Sequence, residues 1–347
     1  MAERKNRQWL LAARPAAEFD ESAFKFTEAP VPTPKDGEVL VHNIWLSLDP
    51  YMRGRMRDVK SYVPPVQLGA VMEGGTVGEV ISSKNPAFKK GDIVEERLGW
   101  QDYGISNGKG MRKIDPALAP ISTALGILGM PGLTAYFGLL DVGAMKAGDT
   151  VVVSAASGAV GGPVGQIARI KGAKRVVGIA GGKAKCDYCV NELGYDACID
   201  YQAMGRDTGK LIQALRAACP DGIDVYFDNV GSWITDAVLP LLRFKARVAI
   251  CGMIAEYNLE KPEVAPRITR HLLVNSARME GFIVLNFRQR YAEALGDMAG
   301  WVKNGKLKYR EDIVDGLENA PRALLRLFKG ENFGKQLVRM RSDPTRK

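Results

Sequence analysis

From residue 150 onward the apolar positions gather into short continuous runs, at 151–154, 175–179, 223–228 and 247–251, separated by stretches with helical spacing. A run with no polar alternation suits a strand buried on both faces. In the intervening stretches Val164, Ile167, Ala168 and Lys171, then Leu211, Leu215 and Ala218, recur at intervals of three and four. Strands alternating with helices predict βαβ units and a parallel sheet. The first hundred or so residues follow another rhythm. Residues 38–46 and 69–81 are rich in Val, Ile and Gly, and Pro30, Pro32 and Pro34 punctuate the chain before them. That pattern predicts a β-rich region with long connections. Beyond about Asn304 the chain reads as strand, helix and strand, ending in 335–338, and this tail is expected to return to the first region. The fold class is therefore α/β, with a doubly wound parallel sheet and a second, β-rich domain.

One stretch, 117–140, carries no charge and is long enough to span a bilayer. Its Gly126, Gly129, Pro131, Gly132 and Gly138, without flanking aromatic or cationic anchors, fit a buried helix pair better. No membrane partner is expected. The N-terminal residues lack the h-region and cleavage pattern of an export signal.

Composition narrows the chemistry. Only two histidines, His42 and His271, occur among 347 residues, which leaves almost no material for imidazole metal sites or His-centred triads. The balance of 48 Lys+Arg against 39 Asp+Glu gives a net charge of +9. The basic residues are scattered, apart from Arg339, Arg341, Arg346 and Lys347 near the end, so no nucleic-acid partner is expected. Five cysteines, an odd number confined to residues 186–251, argue for a reducing, cytoplasmic setting. Cys186 and Cys189 form a C-x-x-C within a helical stretch and read as reduced thiols.

The most informative segment spans residues 150–182. A buried strand through Val151, Val152 and Val153 runs into Ala156-x-Gly158-x-x-Gly161, and a helical pattern opens at once. A pyrophosphate needs backbone N–H groups at a helix N-terminus and no side chains in the way. Gly158 is placed for close approach, Ala159 and Val160 complete the turn, and Gly161 and Gly165 permit close helix–sheet packing. The second strand ends in Ile179-Ala180-Gly181-Gly182, without the acid that holds a ribose 2′-hydroxyl in NAD sites, and Lys183 and Lys185 follow. Lost acid plus gained cation points to NADP(H). Lys183 reads either as a phosphate ligand or as a solvated helix residue.

At this point the chain resembles the zinc-independent medium-chain dehydrogenase/reductase proteins, in their leukotriene 12-hydroxydehydrogenase/prostaglandin reductase and double-bond reductase branch. The resemblance rests on LSLDPYMRGRM (46–56), GMPGLTAYFGL (129–139), AASGAVGGPVGQIA (155–168), DNVG (228–231), AICGMIAEYN (249–258) and ENFGKQLV (331–338). It implies a discontinuous GroES-like catalytic domain, residues 1–125 with 310–347, around a Rossmann NADP-binding domain, residues 126–309. It also implies that Lys185 and Tyr201 contact the 2′-phosphate, and that Asn229, Tyr257 and Asn332 line the nicotinamide ribose and cleft. Tyr51 falls at the substrate end, and Gly132, Thr134 and Ala135 in a turn near the nicotinamide. The metal ligands of zinc-dependent relatives have no counterparts: Leu46 to Tyr51 stands where a first ligand is expected, and Glu73 is a lone carboxylate. No metal is expected. Homodimers are common in the family.

The implied reaction is NADPH-dependent reduction of the activated C=C bond of α,β-unsaturated ketones and aldehydes. Such chemistry needs hydrogen-bond donors aimed at the carbonyl oxygen, and neutral tyrosines supply them. Tyr257 and Tyr51 are the candidate catalytic groups; alternatively, Tyr51 is an apolar rim and Tyr257 a loop-to-cofactor contact. Asn229 and Asn332 read as ribose or cleft contacts, or as turn-formers. Arg53 and Arg55 either select an anionic substrate or lie exposed on a connection. Quinone reduction and a non-catalytic NADP-binding sensor are the rival functions.

Overall fold

The structure is a computed structural model and describes residues 5–345. Arg346 and Lys347, half of the basic cluster noted at the C-terminus, lie outside the described residues. The chain forms two compact units, one of residues 1–126, 258–260 and 311–347, the other of residues 127–257 and 261–310.

The second unit is built on a six-stranded parallel sheet. Its strands are β1 (Thr150–Ser154), β2 (Arg175–Ala180), β3 (Ala197–Asp200), β4 (Ile223–Asp228), β5 (Leu242–Ile250) and β6 (Arg278–Gly281). They lie in the order β3-β2-β1-β4-β5-β6, every neighbouring pair parallel. This is the doubly wound order of dinucleotide-binding sheets, and its direction of winding reverses between β1 and β4. The helices bearing on the site are α1 (Gly161–Ile170), after β1, and α2 (Lys183–Asn191), after β2.

The continuous apolar runs have a structural cause. Val151 and Val153 enter one core with Val176, Phe227 and Ala249. Val152 enters the opposite core with Val177, Ile179, Tyr226 and Val248. Each strand thus supplies alternate residues to two hydrophobic layers and shows no polar face. Two boundaries differ from the sequence expectation. β5 begins at Leu242, five residues before the apolar run, because Arg243, Phe244 and Lys245 are exposed and Lys245 is left-handed (φ +62°), which hides the strand period. β6 gave no apolar signal because it is a mostly exposed edge strand.

The uncharged stretch 117–140 is broken into a 3₁₀ turn (Ile121–Leu125) and a helix (Met130–Phe137) continued by a π-turn (Gly138–Val142). Gly132 is needed there, since a Cβ would stand 1.9 Å from the Ile127 carbonyl oxygen. Among the described residues no helix is long and apolar enough to cross a membrane.

The first unit holds a seven-stranded sheet. The segment Val39–Ser47 pairs antiparallel with Thr76–Ser83 and with Tyr103–Ser106, and the C-terminal segment Lys335–Arg339 joins it through Leu337 opposite Ser47 and Val338 opposite Leu46. Glu311–Asp315 then adds parallel to Lys335–Arg339, with the helix Ala320–Lys329 connecting the two. A separate antiparallel hairpin joins Lys5–Leu11 to Phe24–Pro30. The strand expected over 69–81 starts only at Thr76. Gly74 presses its backbone against Leu46, Met52 and Trp100, so close that a Cβ would come within 2.8 Å of Leu46, and the residues before it serve as a packed loop.

Candidate active site

In the second unit, β1 and β4 end side by side at the reversal point, where ligands of open parallel sheets bind. The turn after β1 begins with Ala155 in the left-handed region (φ +51°) and leads through Ala156, Gly158, Ala159 and Val160 into α1. Ala156 is fully buried against β2, which requires Gly178 there: a Cβ at 178 would lie 2.7 Å from that of Ala156. At Gly161 a Cβ would lie 2.2 Å from the Ala155 carbonyl oxygen. At Gly165 it would lie 2.1 Å from the Tyr195 ring, whose hydroxyl donates to the Gly161 carbonyl at 2.7 Å. Gly158 differs, its nearest neighbour being the Ala155 oxygen at 3.1 Å. Gly161 and Gly165 are therefore packing requirements, whereas Gly158 leaves the space above the turn clear. Val160 precedes α1 without a side-chain cap; in the first turn the Gly162 N–H donates to the Gly158 carbonyl at 2.9 Å and Pro163 has no N–H, which leaves the Gly161 N–H at the helix N-terminus for an anion. A dinucleotide pyrophosphate fits this arrangement.

At the end of β4, Asn229 donates its side-chain N–H to the Ser154 carbonyl at 2.7 Å, and its backbone N–H to the Ser154 hydroxyl at 2.8 Å. Asp228 anchors the same corner, accepting from Ser154, Tyr226, Thr235 and the backbone N–H groups of Val230 and Gly231. Sequence reasoning passed over Asp228, although an acid ending an apolar strand before Asn-Val-Gly was the available signal. After β5 the chain turns through Gly252 and Met253, and the Met253 N–H points to the Tyr257 hydroxyl at 3.4 Å. A Cβ on Gly252 would approach that hydroxyl to 3.2 Å.

At the end of β2, Gly182 is left-handed (φ +88°) and its N–H donates to Asp200 Oδ1 at 2.7 Å. The nearby acid thus comes from β3, and the same oxygen also accepts from the Gln202 N–H. Tyr201 packs over Gly181, where a Cβ would lie 2.9 Å from its hydroxyl, and meets Trp233 edge-on with ring centroids 6.5 Å apart. The two lysines have different surroundings. Lys183 is exposed and paired with Asp187 one helical turn on, at 2.6 Å, whereas Lys185 is half-buried on α2. Cys186 and Cys189 lie on α2, buried and free.

The first unit carries Tyr51 and Asn332. Tyr51 opens a single helical turn, Met52–Arg55, with the Arg55 and Arg97 guanidinium groups 5.6 Å and 5.9 Å from its ring centroid. Burial, reinforced by the Asp49 charge, pushes its phenol well above the ordinary tyrosine range, which keeps the group a donor. Asp49 is itself buried and bound by the Lys335 ammonium at 2.8 Å. Asn332 donates to the Gly334 carbonyl two residues on, at 3.0 Å, so its amide N–H serves the turn.

Neither reading of the two arginines survives. Arg53 and Arg55 are both buried: Arg55 pairs with Glu73 at 2.8 Å and donates to the Val63 carbonyl, and Arg53 is bound by backbone carbonyls and Asn258. They were misread because a helical turn of Met and Arg looks like an exposed connection until the residues that cover it are known. Glu73 is no longer a lone carboxylate, and His42 stacks on Tyr103 with centroids 4.2 Å apart.

Residues 7–114 match the family described as the N-terminal domain of oxidoreductase, and residues 159–300 the one described as zinc-binding dehydrogenase. A putative NADP-dependent oxidoreductase of Bacillus subtilis is 52% identical, the match covering 97% of this chain and 98% of that protein. The NADPH-dependent curcumin reductase of Escherichia coli is 46% identical, with 98% of each chain covered. The chain belongs to the zinc-independent medium-chain dehydrogenase/reductase family, in its double-bond reductase branch. The crystal structure of CurA from Vibrio vulnificus in complex with NADPH is similar to it with a TM-score of 0.91 and 46% identity, over 97% of this chain and 100% of that one. This is an NADPH-dependent oxidoreductase of the alkenal, curcumin and prostaglandin reductase type, and NADP(H) is its cofactor.

Proposed function

We propose that the enzyme reduces the C=C bond of α,β-unsaturated ketones and aldehydes. The observation that carries this reading is the Tyr257 phenol, held in the loop after β5 against Gly252 and Met253, where a Cβ on Gly252 would meet both its hydroxyl at 3.2 Å and the Asn229 carbonyl at 3.6 Å, in a chain whose relatives include a 2-alkenal reductase. NADPH, when bound, supplies a hydride to the β-carbon of the substrate. The turn Ala156, Gly158, Ala159, Val160 and Gly161 would seat the pyrophosphate, and Lys185 and Tyr201 the 2′-phosphate. Asn229 and Asn332 would contact the ribose and cleft. Tyr257 and Tyr51 would donate to the carbonyl oxygen as negative charge gathers there, and this stabilisation is stronger for the transition state and the enolate than for the neutral carbonyl. A proton from Tyr257 or water at the α-carbon then completes the saturated carbonyl product.

A consumption assay with NADPH separates the readings. Turnover of trans-2-enones and 2-alkenals well above that of benzoquinone supports the proposal. The reverse preference makes the enzyme a quinone reductase, and tight NADPH binding without turnover on a broad panel makes it a sensor.

We further propose that the enzyme is a cytoplasmic homodimer. Five free cysteines suit a reducing compartment. The edge strand β6 and the exposed Phe244, Leu273 and Val274 offer an apolar, unpaired margin that pairing with a second copy would cover. Light scattering at the mass of a single chain overturns the dimer.

A further inference from the structure

Arg53 is an expensive residue for this fold. Its side chain is fully buried, and among the described residues no carboxylate stands within ion-pairing distance of it. Burial and the neighbouring Arg57 charge pull its pKa down, and Nη1 has no hydrogen-bond partner. Its other donors are committed to main chain and loop: Nη2 to the carbonyls of Pro15 at 2.8 Å and Ala17 at 2.5 Å, and Nε to Asn258 Oδ1 at 2.8 Å. Arg57, one helical turn on, repeats the pattern by donating to the Ala16 carbonyl at 2.6 Å and the Leu259 carbonyl at 2.7 Å. An apolar side chain would fill the same space without the desolvation cost of a buried cation. What the two arginines achieve is the fixing of Asn258 and Leu259, the two residues that follow Tyr257.

The position of that segment matters because of connectivity. Tyr257 ends the stretch that belongs to the nucleotide unit, and residues 258–260 belong to the β-rich unit. The Tyr257 hydroxyl is set against Gly252 and Met253 on one side, and the chain immediately after it is held by Arg53 and Arg57. We propose that Arg53 and Asn258 are positioning residues for the reaction, holding the backbone after Tyr257 so that its hydroxyl stays aimed at the substrate carbonyl. The inference rests on the reading of Tyr257 as a donor. Misplacement of a reacting group by about 1 Å can cost on the order of a hundredfold in rate, so a clamp on the adjacent residue has leverage.

The test is a double-mutant cycle measured as kcat and KM on an enone. Asn258→Ala removes the acceptor and leaves Arg53 in place, which avoids the folding risk of Arg53→Met. It is expected to lower kcat about tenfold with little change in KM, and Asn258→Asp, which keeps an acceptor oxygen, is expected to restore most of the rate. In a Tyr257→Phe background the same Asn258→Ala change is expected to cost less than about twofold, the non-additivity of groups acting as one unit. An equal loss in both backgrounds, or no loss in either, overturns the proposal while Tyr257→Phe alone is impaired. A fully active Tyr257→Phe enzyme instead overturns the reading of Tyr257 as a donor, and the clamp's role with it.

Discussion

The Asn229 side chain donates to the Ser154 carbonyl at 2.7 Å and so ties the end of β4 to the end of β1 at the point where the sheet reverses its winding. The link joins a segment that follows Asp228 to the strand that leads into the glycine turn before α1, 75 residues earlier. Asn229→Ala leaves the Ser154 carbonyl without this donor but keeps the backbone bond to the Ser154 hydroxyl. We expect a stability loss of about 1 kcal/mol and a weakening of NADPH binding of about tenfold. Denaturant unfolding and fluorescence titration with NADPH measure the two separately. A stability loss with unchanged NADPH affinity would show that the corner serves the sheet alone.

Gly158 and Gly161 make opposite demands. A methyl group at 161 would meet the Ala155 carbonyl at 2.2 Å, which is backbone and cannot yield, whereas at 158 the same carbonyl is 3.1 Å away. Gly161→Ala should destabilise the protein by at least about 3 kcal/mol or prevent its folding. Gly158→Ala should stay within about 1 kcal/mol of the parent and yet bind NADPH more than tenfold more weakly (about 1.4 kcal/mol), because its methyl group occupies the pyrophosphate approach. Comparing urea midpoints with NADPH affinities tests this inversion.

Lys183 and Lys185 separate by environment. Lys183 is exposed and paired with Asp187 along one helix face, an arrangement worth at most about 1 kcal/mol. Lys185 is half-buried beside the end of β2. Lys185→Ala is expected to raise KM for NADPH more than about tenfold and to leave KM for NADH nearly unchanged. Lys183→Ala should alter both by less than about twofold. If the two substitutions act equally, the 2′-phosphate is held by a diffuse positive field.

The sequence was most readable where physics is local. Apolar runs located β1, β2 and β4, because strands buried on both faces carry no competing polar pattern. The spacing of Gly158 and Gly161 located the turn between β1 and α1 for a similar reason, since the absence of a side chain is itself a local signal. What depended on distant partners was not readable. Nothing around Arg53 announces that Pro15, Ala17 and Asn258 will enclose it, and nothing around Glu73 announces Arg55. Asp200 entered the β2 corner unseen because it comes from the next strand. Asn332 shows the same limit in reverse, its side chain turning back on Gly334.

Tyr51 gives a prediction with a sign. Its phenol is held above the ordinary tyrosine range by burial, with Asp49 adding to the shift and Arg97 opposing it. A group whose folded pKa is raised binds its proton more tightly in the native state than in the unfolded chain. Its contribution to stability is complete below the unfolded value of about 10 and is lost as pH rises towards the folded value. Within the neutral and mildly alkaline range Tyr51 therefore stays a neutral donor. The kcat/KM for an enone should be flat with respect to this group from about pH 6 to about pH 9. Tyr51→Phe should lower kcat/KM by about tenfold, consistent with the loss of one donor to a developing oxyanion, without introducing a new ionisation. An alkaline limb below pH 9 that vanishes in Tyr51→Phe would mean that the phenol loses its proton in the working enzyme, and would remove it from the role of neutral donor.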